Sequence, residues 1–243
     1  MFVSANRGHQ NLSSILQPGS GRRHRSNARA HLMKRNTALL ALVAAALAAP
    51  AQAQMPPAQA WDIGPWVRGR NYSEGMPAHP SPAAGGLSFA FPIAGRGQVD
   101  AMTTGVGALA GAHRITMRYR IEAAPGTRFI PDESPGATAT VSLYFQQRGD
   151  DWSARGRYAS YRWYVPARAV MPLEPGVHTV TVSFDEVWTN VNGVPNTQDP
   201  AGYQSALTNA STLGIAFGSA GLRSHGLYAT GPAQFTLLGL DIQ

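Results

Sequence analysis

Polar and aromatic side chains alternate with apolar ones along several segments of this sequence. The residues of this kind that are best able to bind a ligand are Arg118, Tyr144, Gln146, Arg162 and Tyr164. Arginine and glutamine side chains hydrogen-bond to hydroxyl and carboxylate groups, and tyrosine rings pack against the C–H faces of sugars. If the segments form neighbouring strands, these residues make one surface, which we expect to bind a glycan or a similar polar ligand. The alternative is an ordinary solvated sheet face, on which arginine and tyrosine pair across strands.

A long polar connection joins two of these segments and carries the sixth candidate binding residue, Trp152. The same connection contains Asp150 and Asp151. Loops held by a rigid scaffold often carry binding residues, so the pattern indicates a ligand site at a sheet edge. In the alternative, the connection is a solvated hairpin loop, Trp152 folds back onto the sheet, and its arginine–aspartate pairs contribute little to stability.

The sequence signals for catalysis and for metal binding are weak. After residue 53 the histidines are His79, His113, His178 and His225. Their spacing is not that of metal ligands. The chain has no cysteine, which excludes disulfides, thiolate metal sites and cysteine nucleophiles. We therefore expect a binding protein without catalytic residues or cofactor, and consider one metal site, a structural calcium bound by Asp62 or Asp241.

Two other functions stay open at this point. A hydrolase or lyase that acts on cell-envelope polysaccharide needs two acids, or an acid and a histidine, in one cleft. Asp150 or Asp151 lying beside Glu186 or His225 would favour this enzyme. A structural or adaptor role in the cell envelope is favoured instead if the polar face is flat and a contiguous apolar patch lies elsewhere.

Period-two alternation predicts the strands that position these residues. The clearest examples are the segments 113–123, 137–147, 160–165 and 177–184. Asp199 and Pro200 form an N-cap and first-turn pair, which predicts a short peripheral helix over 201–210. Three prolines between residues 76 and 86 predict an extended loop. Many strands separated by Gly/Pro turns predict an all-β fold, an antiparallel β-sandwich of the jelly-roll type.

The first 53 residues have the features of an export segment. A short cationic start at Met33, an apolar run and an Ala-x-Ala site ending at Ala53 predict a cleaved secretory signal peptide. The apolar run is shorter than the roughly 20 residues that span a bilayer. The predicted parts are a disordered extension or mis-assigned start over 1–32, the signal peptide over 33–53, a linker over 54–60 and one β-sandwich domain over 61–243. We expect a periplasmic or secreted protein.

The formal net charge of +7 comes entirely from this export segment. Residues 1–53 hold seven of the 20 Lys+Arg residues and no acid, so the remainder carries 13 cations and 13 acids. Nucleic-acid binding requires clustered cations in excess, which the remainder does not have overall. We therefore expect no nucleic-acid partner, and no stable membrane anchor after cleavage.

The start and end of the predicted domain resemble those of known jelly rolls. The aromatic start Trp61-Asp62-Ile63-Gly64, the serial amphipathic strands and the closing apolar strand over 235–242 resemble carbohydrate-binding modules and galactose-binding-like domains. This resemblance implies ligand binding on a concave sheet or at the loop rim, and it transfers no catalytic residue. The segments Arg-Gly-Asp-Asp-Trp and Tyr-Arg-Trp-Tyr also look like those of a group of uncharacterised exported bacterial proteins.

Overall fold

The computed structural model describes residues 55–243. The predicted N-terminal extension and signal peptide, and the first residue of the predicted linker, lie outside this range. Within it, no helix is both long enough and apolar enough to cross a bilayer. A short 3₁₀ helix at Ala58–Ala60 precedes the first strand, and Ala58 is already buried in the core.

The described part of the chain is an antiparallel β-sandwich with one α-helix, as the alternation predicts. Its strands are β1 (Trp61–Gly64), β2 (Trp66–Val67), β3 (Arg70–Asn71), β4 (Ser81–Ala83), β5 (Gly86–Ala90), β6 (Ala101–Gly105), β7 (Arg114–Ala123), β8 (Phe129–Pro131), β9 (Ala139–Gln147), β10 (Arg162–Tyr164), β11 (Met171–Pro172), β12 (Gly176–Ser183), β13 (Thr189–Asn190), β14 (Ala210–Ser219), β15 (Leu227–Ala229) and β16 (Ala233–Ile242). The helix is α1 (Pro200–Thr208).

Two sheets form the layers of the sandwich. The larger sheet has seven strands in the order β1-β6-β14-β9-β10-β13, with β11 paired to β9. The smaller sheet has five strands in the order β12-β7-β16-β5-β4. Two further pairs, β2–β3 and β8–β15, are short ribbons at the loops. Sequence-adjacent strands therefore often belong to different sheets, which is what a jelly-roll topology produces.

Apolar side chains from both sheets meet in one core. Phe89 of the smaller sheet and Phe217 of the larger sheet contact edge to face, with ring centroids 5.5 Å apart. The predicted inward residues of β7 and β9, such as Met117 and Phe145, are fully buried in this core. Alternation therefore gives the correct inward face for both strands.

The helix covers one end of the core. Asp199 caps it, since its side chain accepts a hydrogen bond from the Gly202 backbone N–H. Tyr203 packs edge to face on Trp163, at 5.0 Å between centroids, and its hydroxyl donates to the Phe184 carbonyl. The predicted helix is thus confirmed and lies at the periphery of the sheets.

The proline-rich segment over 76–86 is not entirely a loop, contrary to the prediction. It contains β4, which pairs with β5 at the edge of the smaller sheet. Pro82 fits there because an edge strand leaves one row of backbone groups outside the hydrogen-bonded ladder, where a missing N–H costs little.

Candidate functional site

A cleft of about 900 Å³ opens over the outer face of the larger sheet, between the loops that follow its strands. We call it the candidate cleft. Its walls come from residues within the segments 65–72 (but not Trp66), 98–100, 151–153, 189–193 and 220–225, together with Glu133, Arg162 and Tyr164. Within the described residues, no group of three or more His, Asp or Glu side chains could hold a metal ion.

Strands β9 and β10 place four predicted binding residues on one patch beneath the cleft. Tyr144 is directly opposite Tyr164 in the antiparallel register, and Gln146 is opposite Arg162. The two tyrosine rings lie 5.3 Å apart between centroids. All four side chains are buried, so this face of the sheet is covered by loops and is not an ordinary solvated surface.

A glycine on the neighbouring strand makes room for this patch. Gly214 of β14 pairs with Tyr144, and a Cβ atom built on Gly214 would lie 2.2 Å from the Tyr144 ring carbons. Burial raises the pKa of Tyr144 well above its ordinary value, and its hydroxyl has no hydrogen-bond partner. Tyr144 is therefore a neutral packing element under the cleft.

Asp150 organises the connection between β9 and β10. Its Oδ2 accepts from Gln146 Nε2 at 2.8 Å and from Arg162 Nε at 2.9 Å, while its Oδ1 accepts from the Trp152 backbone N–H at 3.1 Å. Only 2% of the Asp150 side chain and 5% of the Arg162 side chain are exposed. The arginine–aspartate pair is thus buried, whereas the solvated-loop alternative supposes surface pairs, and removing one partner would leave an uncompensated buried charge.

Trp152 forms the wall above this ion pair. The Arg162 guanidinium carbon lies 3.8 Å from the centre of the indole, a cation–π contact, and Tyr144 touches the indole edge to face at 6.1 Å. The indole folds back onto the sheet and also lines the cleft. Trp152 thus folds back as the solvated-loop alternative supposes, and the ligand site at this loop stays a prediction.

Backbone strain is concentrated around the candidate cleft. Among the described residues, the non-glycine positions with a left-handed backbone are Arg68, Trp152, Ala154 and Ser224, with φ between 52° and 65°. Three of them line the cleft, and Ala154 lies two residues beyond Trp152. Such conformations cost about 1–3 kcal/mol each and cluster at binding and catalytic sites.

The structure separates Arg118 from the other five predicted binding residues. Arg118 lies on β7 of the smaller sheet, with its side chain exposed on the outer face of that sheet. The condition that all of these strands are neighbours does not hold for β7, because alternation defines an outward side but not the sheet to which a strand belongs. Trp152, Arg162 and Tyr164 line the cleft, and Tyr144 and Gln146 support it from below.

Asp100 is a cleft residue that the sequence analysis did not select. It precedes β6, is 4% exposed, accepts from Gln98 Nε2 at 2.9 Å, and is packed closely by Gly226. Burial raises the pKa of Asp100 to about 8, while Gln98 lowers it and the nearby Glu133 raises it further. At neutral pH this carboxyl group is therefore mainly protonated.

Several other charged residues line the cleft but are not among the predicted binding residues. They are Arg68, Arg70, Glu133 and Arg223. His225, to which the sequence analysis gives a role only in the enzyme alternative, lines the cleft, and its Nδ1 lies 3.1 Å from Glu133 Oε1. The available signal was the glycine-rich loop over 218–226, which supplies Arg223 and His225 but matches no phosphate-binding or nucleophile motif.

Comparison with known proteins finds solved structures that align with most of this chain at low identity. No protein-family model matches the sequence, and the comparison with curated proteins finds no match. A carbohydrate-binding module specific for non-crystalline cellulose aligns with 76% of this chain and 87% of its own, at 14% identity and a TM-score of 0.37. A xylanase from Cellvibrio japonicus in complex with xylopentaose aligns with 79% of this chain and 28% of its own, at 12% identity and a TM-score of 0.36. The candidate site therefore stands on its own geometry.

We predict that Gly214→Ala destabilises the protein by about 1–3 kcal/mol, because the added methyl group would overlap the Tyr144 ring. Gly105→Ala on β6 is the matched control, since the nearest atom to its Cβ position is 3.9 Å away. Urea unfolding of both variants measures the difference. Equal stability of the two variants would contradict the close packing of Tyr144 on β14.

We also predict a pH-dependent stability difference between wild type and Asp100→Asn. Because the folded pKa of Asp100 is about 8 and the unfolded value is near 3.8, the wild type loses stability as the pH rises between these values. The free energy of unfolding of Asp100→Asn minus that of the wild type should therefore rise by roughly 2–5 kcal/mol between pH 4 and pH 8. Denaturant unfolding across this range measures it, with the exposed Asp185→Asn as control. A difference that does not change with pH would contradict the burial of the Asp100 carboxyl.

Proposed function

We propose that this protein is an exported, non-catalytic binding protein whose candidate cleft holds a glycan. The observation that carries the proposal is the combination of aromatic rings and arginine side chains in one cleft, Trp152 and Tyr164 beside Arg162 and Arg223. Rings pack against the C–H faces of sugars while guanidinium groups bind their oxygens. The volume of about 900 Å³ lies within the range of small-molecule sites, about 300–1,000 Å³.

The support beneath the cleft favours binding by a preformed surface. Arg162 is held by Asp150, Tyr164 packs on Tyr144, and Trp152 is anchored through its backbone to Asp150. Side chains fixed in this manner lose little conformational freedom when a ligand binds, which preserves affinity. The signal-peptide pattern over 33–53 supports a periplasmic or secreted location, where glycans of the cell envelope are available.

A hydrolase or lyase acting on such a glycan is the second candidate. Asp151 and His225 line the same cleft, together with the protonated carboxyl group of Asp100. A neutral carboxylic acid can donate a proton to a leaving oxygen, which is the task of a general acid. Glu186 does not contribute, because it forms an ion pair with Arg168, and neither residue lines the cleft.

The experiment is a glycan array with the full-length protein, followed by calorimetry with the best ligand. We expect Trp152→Ala to lower the affinity about tenfold, since it removes a ring from the cleft wall. Trp66→Ala is the matched control, because Trp66 is 53% exposed and does not line the cleft.

Chromatography of the ligand after incubation separates the two candidates. Recovery of the intact glycan supports binding alone, and shortened or unsaturated chains support the enzyme. Absence of binding to any glycan, or an equal loss of affinity in both tryptophan variants, would contradict the proposed function.

A further inference from the structure

The charged groups of the candidate cleft are mostly balanced within the cleft or just behind it. Arg70 forms an ion pair with Glu74 at 2.5 Å and Arg162 forms one with Asp150 at 2.9 Å, while the Glu133 carboxylate lies 3.1 Å from His225 Nδ1. Asp151 is exposed, and Ser153 and, more weakly, Arg68 lower its pKa. These groups need no charge from a ligand.

Arg223 is half-buried and has no acidic partner within the described residues, whereas Arg68, the other cleft arginine without an ion pair, is exposed to water. The Nη1 of Arg223 donates to the Val165 carbonyl at 2.9 Å, and its Nε donates to the Ala220 carbonyl at 3.3 Å. Its guanidinium carbon lies 5.5 Å from the centre of the Tyr164 ring. Burial lowers the pKa of Arg223, so the folded protein holds this cation at an energetic cost.

Arg162 is paired in charge with Asp150 but keeps one unused hydrogen-bond donor near the same ring. It lies two residues before Tyr164 on β10, and the two side chains therefore share one face of the sheet. Its Nη2 is buried and has no hydrogen-bond partner. The oxygen of Asp150 that accepts from Arg162 is shared with Gln146, so this carboxylate is already occupied on that side.

Asp100, a further buried acid of the cleft, does not neutralise Arg223 at neutral pH. Asp100 also lines the cleft, but burial raises its pKa to about 8. The end of the cleft that contains Tyr164 therefore keeps unbalanced positive charge in partly desolvated surroundings. In such surroundings the attraction between opposite charges is several times stronger than in water.

We propose that the ligand of the candidate cleft is an acidic saccharide whose carboxylate is bound by Arg223, with Arg162 as the second cation beside Tyr164. The proposal rests on the proposed function and narrows its ligand class from glycans to uronate-containing glycans. A guanidinium group can bind the two oxygens of a carboxylate at once, which a neutral hydroxyl cannot reproduce. The sugar ring then lies over the aromatic side chains, as the proposed function requires.

The test compares matched pairs of ligands with the full-length protein by calorimetry. Oligosaccharides of galacturonate, glucuronate and mannuronate are each measured against their methyl esters, which keep the ring and lose the charge. We expect at least one acid to bind about tenfold or more tightly than its ester, with an affinity that falls as salt rises. A sulfated oligosaccharide is measured in the same way. If it binds more tightly than every uronate oligosaccharide, the carboxylate assignment is overturned.

Variants of Arg223 test whether this residue causes the preference for the acid over its methyl ester. Arg223→Gln should remove the difference between acid and ester, and Arg223→Lys should retain part of it because it keeps the charge. Arg114→Gln, on the exposed end of β7, is the matched control and should leave the difference unchanged. The ratio of the two affinities is not altered by a mutation that merely lowers the folded fraction.

Each remaining outcome has one meaning. Equal binding of acids and esters, binding of neutral saccharides alone, or an unchanged ratio in Arg223→Gln overturns the acidic-ligand inference and leaves the proposed function in place. Binding of no saccharide, charged or neutral, overturns the proposed function and this inference together.

Discussion

The buried ion pair of Asp150 with Arg162 is the interaction on which the candidate cleft depends. It joins the end of β9, the following connection and the start of β10, and the same carboxylate fixes the backbone of Trp152. Removing one partner of a buried pair leaves an uncompensated charge and typically costs about 3–5 kcal/mol. The two residues therefore constrain each other. Together they fix the position of Trp152 relative to the Arg162 guanidinium. A hydrophobic pair could fill the same volume but would offer a ligand no hydrogen-bond donor.

The two outer faces of the sandwich show how covering a sheet changes its chemistry. On the smaller sheet, Arg118 is exposed to solvent, where its charge is screened. On the larger sheet, loops cover Gln146, Arg162 and Tyr164, and their polar groups are largely removed from water. Desolvation strengthens each hydrogen bond and ion pair there, and it also raises the pKa of Asp100. The covered face is therefore the one suited to selective binding, although both faces have similar residue types.

The sequence predicts the strands, their inward faces and the helix well, because alternation and capping are local properties. It also brings Tyr144, Gln146, Trp152, Arg162 and Tyr164 together, since a hairpin-like connection makes β9 and β10 neighbours. It fails for Arg118 because the sheet to which a strand belongs is set by long-range pairing. It misses Asp100 and Arg223 because each becomes distinctive only through burial. The sequence also does not reveal that position 214 requires a glycine, because this requirement comes from the Tyr144 ring on the neighbouring strand.

The positions of the charges in the fold matter more for function than their total number. Outside residues 1–53 the 13 cations match the 13 acids in number, yet within the described residues the half-buried Arg223 of the cleft has no acid beside it. The most direct test of this account is NMR spectroscopy, in which chemical-shift changes of the arginine Nε–H and tryptophan indole signals are measured as an oligosaccharide that binds is added. The account predicts that the largest shifts occur at Arg162, Arg223 and Trp152. Shifts centred on Arg118 and the outer face of the smaller sheet would contradict it.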